Sequence, residues 1–278
     1  MALENLIIIG SGPAGMTAGI YAARAGLKPV ILEGMESGGQ LLQTQHVANY
    51  PGFPETVPGA TIISSIRRQA ESAGVRFVMD EVRSVDFSSS IKKLSTLMGD
   101  TLETKCVIIA TGAGVAKTNL PGEAKYWGHG ISACLTCDGA FYAGRTVIIV
   151  GTGPTTLGAQ NYLAKLGANV AAILAPIDIQ SFDGDVKRLT GVTKKDGITV
   201  KADGVFLVTA RRPQTDFLKG AIDLDDKGHI ITTSSKTSVP GVFAAGDCAE
   251  PHHKQAVIAA GDGARAALEA QEHLRGER

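Results

Sequence analysis

The stretch LIIIGSGPAG, Leu6 to Gly15, decides the fold. Four consecutive apolar residues read as a strand buried on both faces, as parallel sheets require. Gly10, Gly12 and Gly15 follow at dinucleotide-loop spacing, and Met16 to Ala25 is a helix-forming stretch closed by Gly26. Gly10 allows the tight turn, Gly12 lets backbone approach a pyrophosphate, and Gly15 lets helix pack close on strand, with Pro13 and Ala14 between. The helix N-terminus then offers N–H groups to phosphate. A second strand, Pro29 to Leu32, ends at Glu33, 18 residues after Gly15. A carboxylate there accepts hydrogen bonds from an adenosine ribose. With strand, helix, spacing and acid all present, a tight turn that binds nothing is the weaker reading.

The pattern returns 141 residues later in TVIIVGTGPTTLGAQNYLAKLG, Thr146 to Gly167, followed by a strand from Val170 to Leu174. Val107 to Gly112 and Gly204 to Thr209 read as matching strands of the two units, and Gly241 to Asp247 is a further strand ending in Gly246 and Asp247. A strand-end aspartate near the first loop can hydrogen-bond a ribityl hydroxyl, which favours flavin over nicotinamide; alone it reads equally well as a helix N-cap. Lys254 to Leu274 reads as an Ala-rich helix, and the stretches Gly112 to Gly122 and Thr232 to Pro240 as linkers. The expected fold is α/β, with two Rossmann-like dinucleotide-binding domains, the second smaller and inserted into the first. Residues 1–113 and 238–278 would form the FAD domain, and 114–237 the second.

Composition excludes several classes. The 278 residues are 44% hydrophobic, enough for a substantial core. Lysine plus arginine and aspartate plus glutamate both number 27, which argues against broad binding to nucleic acid or anionic membrane. No apolar run reaches the roughly 18 residues that span a bilayer, and the apolar start lacks a basic flank, so a cytoplasmic home is expected.

Four cysteines are too few for a stapled secreted domain of this length. Cys106 and Cys248 sit among apolar or small residues and read as buried thiols. Cys134 and Cys137 have the spacing of a reversible disulfide, and Asp138 beside them could move the proton that thiol exchange requires. Zinc would ask for four ligands, and neither His129 nor His252 and His253 has finger-like spacing, so no metal is expected. An inert thiol pair does not account for the adjoining Asp138 and Gly139.

Taken together, these residues resemble low-molecular-weight thioredoxin reductases. The likeness is carried by Ile8 to Gly15, Gly38 to Leu41, Asn49 to Phe53, Ala110 to Gly112, Cys134 to Gly139, Pro240 to Asp247, and Gln255 with Ala256, in the family's order. It implies a two-domain homodimer with FAD in the first domain. It implies that Cys137 faces the flavin, that Cys134 attacks a thioredoxin-like or other disulfide substrate, and that Asp138 is the acid. Gly39, Gln40, Asn49, Thr111, Gly112, Gly246, Asp247, Gln255 and Ala256 would lie along the flavin. Domain rotation would let the pair meet flavin and then substrate.

The second loop departs from that family. Its third small position is Thr156, expected to crowd helix against strand, and the repeat offset puts Leu174 where Glu33 stands in the first unit. Leu174 to Pro176 offers no carboxylate for a ribose and no arginine for a 2′-phosphate; Arg211 and Arg212 read as a solvated basic turn. Asp178 to Gly197 is short for the family. NADPH is therefore expected to be a poor donor or none, and ferredoxin, a deazaflavin or a second FAD per subunit become candidates. A donor to a thioredoxin-type disulfide needs a potential at or below roughly −270 mV. A dithiol oxidase using oxygen and a flavin-bound redox sensor are the competing readings.

Overall fold

A computed structural model describes residues 3–34, 37–44, 46–115, 118–209 and 211–276. Its first half runs β1 (Glu4–Ile9), α1 (Pro13–Arg24), β2 (Val30–Leu32), α2 (Gly59–Ser72), β3 (Arg76–Val78), β4 (Val82–Asp86), β5 (Lys92–Thr96) and β6 (Thr101–Ile109). Then come β7 (Ala113–Val115), α3 (Glu123–Tyr126), β8 (Ile131–Ser132), α4 (Leu135–Asp138), β9 (Thr146–Gly151), α5 (Pro154–Lys165) and β10 (Asn169–Leu174). The remainder is β11 (Ile179–Gly184), β12 (Leu189–Lys194), β13 (Thr199–Lys201), β14 (Gly204–Val208), β15 (Arg211–Pro213), β16 (Val242–Ala244) and α6 (Ala256–Gly276).

The chain divides into two units. The first holds Met1–Leu42, Gly59–Gly114 and Arg212–Arg278; the second holds Gln43–Pro58 and Val115–Arg211. The return crossing thus falls well before the expected boundary at 237. The reason is packing: Leu218, Ile222 and Ile230 are buried in one cluster with Ile7, Val107 and Val242 of the first unit. The expected linker from 232 to 240 is instead a turn paired with β16, through Thr233 with Lys236 and Lys236 with Phe243. Ala116 and Lys117 of the other expected linker lie outside the described residues, as does the Arg211 side chain; Arg212 is exposed.

The first unit is built on a sheet of order β3-β2-β1-β6-β5-β4, with β16 also paired to β6. β1, β2, β3, β6 and β16 are parallel, with Ile9 opposite both Leu32 and Ile109. β6 has two halves. Its start pairs antiparallel with β5 and is largely exposed, whereas its end lies between β1 and β16 and is fully buried. Apolar burial drives the second half, because strands covered on both faces bury every side chain. α1 and α6 cross closely on small residues, since a Cβ on Gly263 would lie 2.0 Å from the Ala14 carbonyl oxygen. α6 spans 21 residues and opens at Ala256, next to Gln255, near which the sequence places its start.

The second unit has a parallel sheet of order β10-β9-β14-β8. One face carries Val147, Ile149 and Phe206 with Leu163 of α5. The other face packs Ile148, Val150, Val205 and Leu207 against Phe182, Leu189 and Val192. The last three come from an antiparallel meander, β11-β12-β13, which is what the short region after Asp178 forms. No helix among the described residues is long and apolar enough to cross a membrane.

Candidate functional site

The first glycine loop is shaped by backbone approach. Gly10 adopts φ +107°, and a Cβ there would lie 2.4 Å from the Ala110 carbonyl oxygen. A Cβ on Gly15 would lie 1.9 Å from the Gly10 oxygen, so α1 can sit on this turn only if position 15 is glycine. Gly12 caps α1 without a side-chain hydrogen bond, and a Cβ on it would meet nothing within 4 Å. The first-turn N–H groups, unpaired within the helix, therefore open onto space at the carboxyl edge of a parallel sheet. Pro13 occupies the first turn, where its missing N–H costs no bond.

Other expected residues gather at this edge. A Cβ on Gly39 would come 3.2 Å from the Gly12 Cα, and Ser11 accepts from the Gly38 N–H at 3.0 Å. A Cβ on Gly246 would lie 3.0 Å from that of Ala14. Thr111 Oγ1 donates to the Gln214 carbonyl at 2.7 Å, Gly112 turns at φ +70°, and the Gln40 amide donates to the Ala113 carbonyl. Asp247 follows β16 in a turn whose next residue, Cys248, is fully buried, its thiol donating to the Ile109 and Ala245 carbonyls; burial pushes its thiol pKa up. Gln255 immediately precedes α6 and Ala256 opens it.

Glu33 stands at the end of β2 with its carboxylate buried, paired to Arg67 Nη1 at 2.5 Å and accepting from Ser37. Its carboxylate lone pairs outnumber these contacts, leaving acceptor capacity for ribose hydroxyls. Arg67 is itself stacked 4.2 Å over Phe77. The sequence reading missed Arg67 because it lies 34 residues from Glu33 on another element. An open pyrophosphate cradle, an acid at the ribose position and an aspartate turn on the same edge are a donor set that fits FAD. Asn49 lies in the 43–58 segment, which belongs to the second unit.

In the second unit Cys134 and Cys137 form a disulfide across a Cα separation of 5.3 Å. Cys134 caps α4, and its sulfur accepts from the Cys137 N–H at 3.2 Å. Ser132 at the end of β8 accepts from the Cys134 N–H at 3.0 Å and donates to Asp138 at 2.5 Å. A continuous chain thus links the Asp138 carboxylate to the backbone of the reactive pair. Burial pushes the Asp138 pKa above its ordinary value, while the Ser132 hydrogen bond and the charge of His46 act against it. His46 also packs on Phe141, ring centroids 5.3 Å apart. Neither Ser132 nor His46 carries a sequence signature; the topology brings them to the pair. A Cβ on Gly139 would lie 2.9 Å from Leu166 Cδ1, a side-chain end that would have to shift to admit it. No group of metal-ligating side chains occurs among the described residues.

The second glycine loop differs in detail. Its glycine at positive φ is Gly153, at +84°, whereas Gly12 at the matching place has φ −71°. Thr156 stands where the first loop has its third glycine. It is buried, and its hydroxyl donates to the Gly153 carbonyl at 2.7 Å. A register shift between Val170 and Ala172 also corrects the repeat offset. Leu174 pairs with Val150 as Leu32 pairs with Ile9, so the counterpart of Glu33 is Ala175, not Leu174. Either residue lacks a carboxylate and a guanidinium.

The chain is similar to known proteins over nearly its whole length. The family model described as pyridine nucleotide-disulphide oxidoreductase matches residues 4–178 and 176–263. A thioredoxin reductase from Streptomyces clavuligerus is 35% identical, covering 98% of this chain and 94% of its own. The structure of thioredoxin reductase from Giardia duodenalis superposes with a TM-score of 0.88 at 35% identity, covering 99% and 100%. That from Streptococcus pyogenes superposes with a TM-score of 0.91 at 30% identity, covering 99% of both chains.

Proposed function

The chain belongs to the pyridine nucleotide-disulphide oxidoreductase family as a thioredoxin-reductase-like flavin enzyme, and we propose that it passes electron pairs between FAD and the Cys134–Cys137 disulfide, and on to a thioredoxin-like disulfide substrate. The observation that carries this reading is the disulfide with Asp138 hydrogen-bonded through Ser132 to the backbone of Cys134. The backbone of Gly10, Gly12, Ala14 and Gly15 would hold the pyrophosphate, Glu33 the adenosine ribose, and Asp247 the ribityl chain. Thr111, Gly112, Gly39, Gln40, Asn49, Gly246, Gln255 and Ala256 would complete the flavin contacts. FAD, when bound, supplies two-electron chemistry.

The residues of the chain manage sulfur and protons. Opening the disulfide takes up two electrons and two protons and yields two thiols. Asp138, with its pKa pushed up by burial, holds a proton closer to neutral pH than an exposed carboxyl would. Cys134 would attack the substrate disulfide as a thiolate, and Cys137 would then displace the reduced substrate and close the ring.

We also infer a donor other than NADPH. The support is the second loop, where Ala175 stands in the place of Glu33 and no arginine is near it in sequence. Each missing charge-assisted hydrogen bond forgoes roughly 1.5–3 kcal/mol, so two missing contacts weaken NADPH by about 10²-fold or more. Ferredoxin, a deazaflavin or a second FAD would serve instead. Anaerobic dithionite reduction of the holoenzyme followed by thiol counting tests the core of the proposal. Two new thiols that vanish on adding an oxidised thioredoxin are expected. A fully reduced flavin with the disulfide intact would refute it.

A further inference from the structure

Beside the Asp247 turn lies a polar strut that none of the expected site residues explains. Asp225 closes a tight hairpin: its Oδ1 accepts from the N–H groups of Lys227 at 2.9 Å and His229 at 2.7 Å. Its Oδ2 lies 3.1 Å from His229 Nδ1. A carboxylate only accepts, so Nδ1 carries a hydrogen, and an ammonium only donates, so a hydrogen bond from Lys254 has Nε2 as its acceptor. The His229 ring is buried, and Nε2 lies 3.4 Å from the Lys254 ammonium. The same ammonium donates to the Glu250 carbonyl at 2.8 Å and the Asp247 carbonyl at 3.2 Å. The hairpin is tied to the turn a second time by Ile230 N–H donating to the Cys248 carbonyl at 2.9 Å.

An ammonium has three N–H groups arranged as a tripod, and here they meet one imidazole nitrogen and the two carbonyls that bracket the turn. Charge-assisted bonds of this kind are about twice as strong as neutral ones. Fixing the carbonyls of residues 247 and 250 fixes the backbone between them, and so the direction in which the Asp247 side chain leaves the turn.

We propose that Lys254, oriented by His229 and Asp225, is a positioning residue that aims Asp247 at the flavin. This rests on the reading of Asp247 as a flavin contact. Asp225, His229, Asp247 and Lys254 all belong to the first unit, so the effect expected of the strut is on holding and tuning the flavin.

The test uses holoenzymes of wild type, Lys254→Met, Lys254→Arg, His229→Phe and Asp247→Asn. FAD release on dilution is followed by flavin fluorescence, with the visible flavin spectrum and midpoint potential alongside. Lys254→Met is expected to weaken FAD binding about tenfold, the scale of one lost charge-assisted bond, and to change the spectrum and potential. Lys254→Arg regains affinity to within about threefold, because it keeps a cation that can reach the carbonyls, and His229→Phe loses about threefold. Wild-type affinity and spectrum in Lys254→Met overturn the proposal. If Asp247→Asn is weakened while Lys254→Met is not, the strut alone is wrong. If Asp247→Asn binds FAD as wild type does, the underlying flavin reading falls and the proposal with it. Should Lys254→Met fail to fold, wild-type affinity and spectrum in His229→Phe, which leaves the lysine in place, overturn it equally.

Discussion

The two glycine loops of this chain share a plan and differ in the groups they carry. Both begin where a buried parallel strand ends and both lead into a 12-residue helix with proline in its first turn. In the first, Gly15 is forced by a would-be contact of 1.9 Å and Glu33 waits at the end of the neighbouring strand. In the second, Thr156 fills the place of the third glycine and turns its hydroxyl back on the loop, and Ala175 replaces the acid. The strand-turn-helix form survives in both because it depends on apolar burial and helix geometry. Nucleotide binding depends on a few backbone approaches and one charge, and the two loops differ in both.

Substitutions can break or sharpen that contrast. The largest effect is expected from Gly15→Ala, which should give protein that purifies without bound FAD, measured by flavin absorbance per chain; Thr156→Ala at the matching place should cost only about 1 kcal/mol of thermal stability, one neutral hydrogen bond. Yellow, stable Gly15→Ala protein would mean the close approach is not required. Cys137→Ser comes next: flavin should still bleach with dithionite, while delivery to a disulfide substrate falls below detection. Surviving delivery would remove the pair from the pathway.

Asp138→Asn should lower disulfide turnover about 10²-fold, the lower end of general acid–base contributions. The pH dependence has a defined sign. Burial raises the Asp138 pKa, so the protonated, proton-donating form persists above the ordinary carboxylate range and is lost as pH rises through the raised value. Turnover limited by this proton should fall on that limb in wild type, and the limb should be missing in Asp138→Asn. The smallest change is a gain. Ala175→Arg places a guanidinium on the strand end of the second unit and should speed flavin reduction by NADPH about tenfold, one charge-assisted hydrogen bond.

The order of elements in both units and the redox pair were legible because strand burial, glycine spacing and cysteine spacing are local in sequence. Three features were not. Arg67 on Glu33, Ser132 beneath Asp138 and the Lys254–His229–Asp225 strut are set by tertiary packing, and no short motif announces them. The domain boundary was misplaced because polar, proline-bearing residues 232–240 read as a linker, whereas burial of Leu218, Ile222 and Ile230 decides where that segment belongs. The offset of Leu174 failed for a simpler reason: one irregular pairing in β10 displaces every later residue by one.

The asymmetry of the two loops is tested most directly by mixing the anaerobic FAD-loaded enzyme with micromolar NADPH and following flavin absorbance on the stopped-flow timescale. Flavin that stays oxidised with NADPH yet bleaches fully with dithionite, exposing two thiols, is the expected result. Rapid and complete bleaching by NADPH would show that the second loop still binds and presents the nucleotide, and would contradict the account.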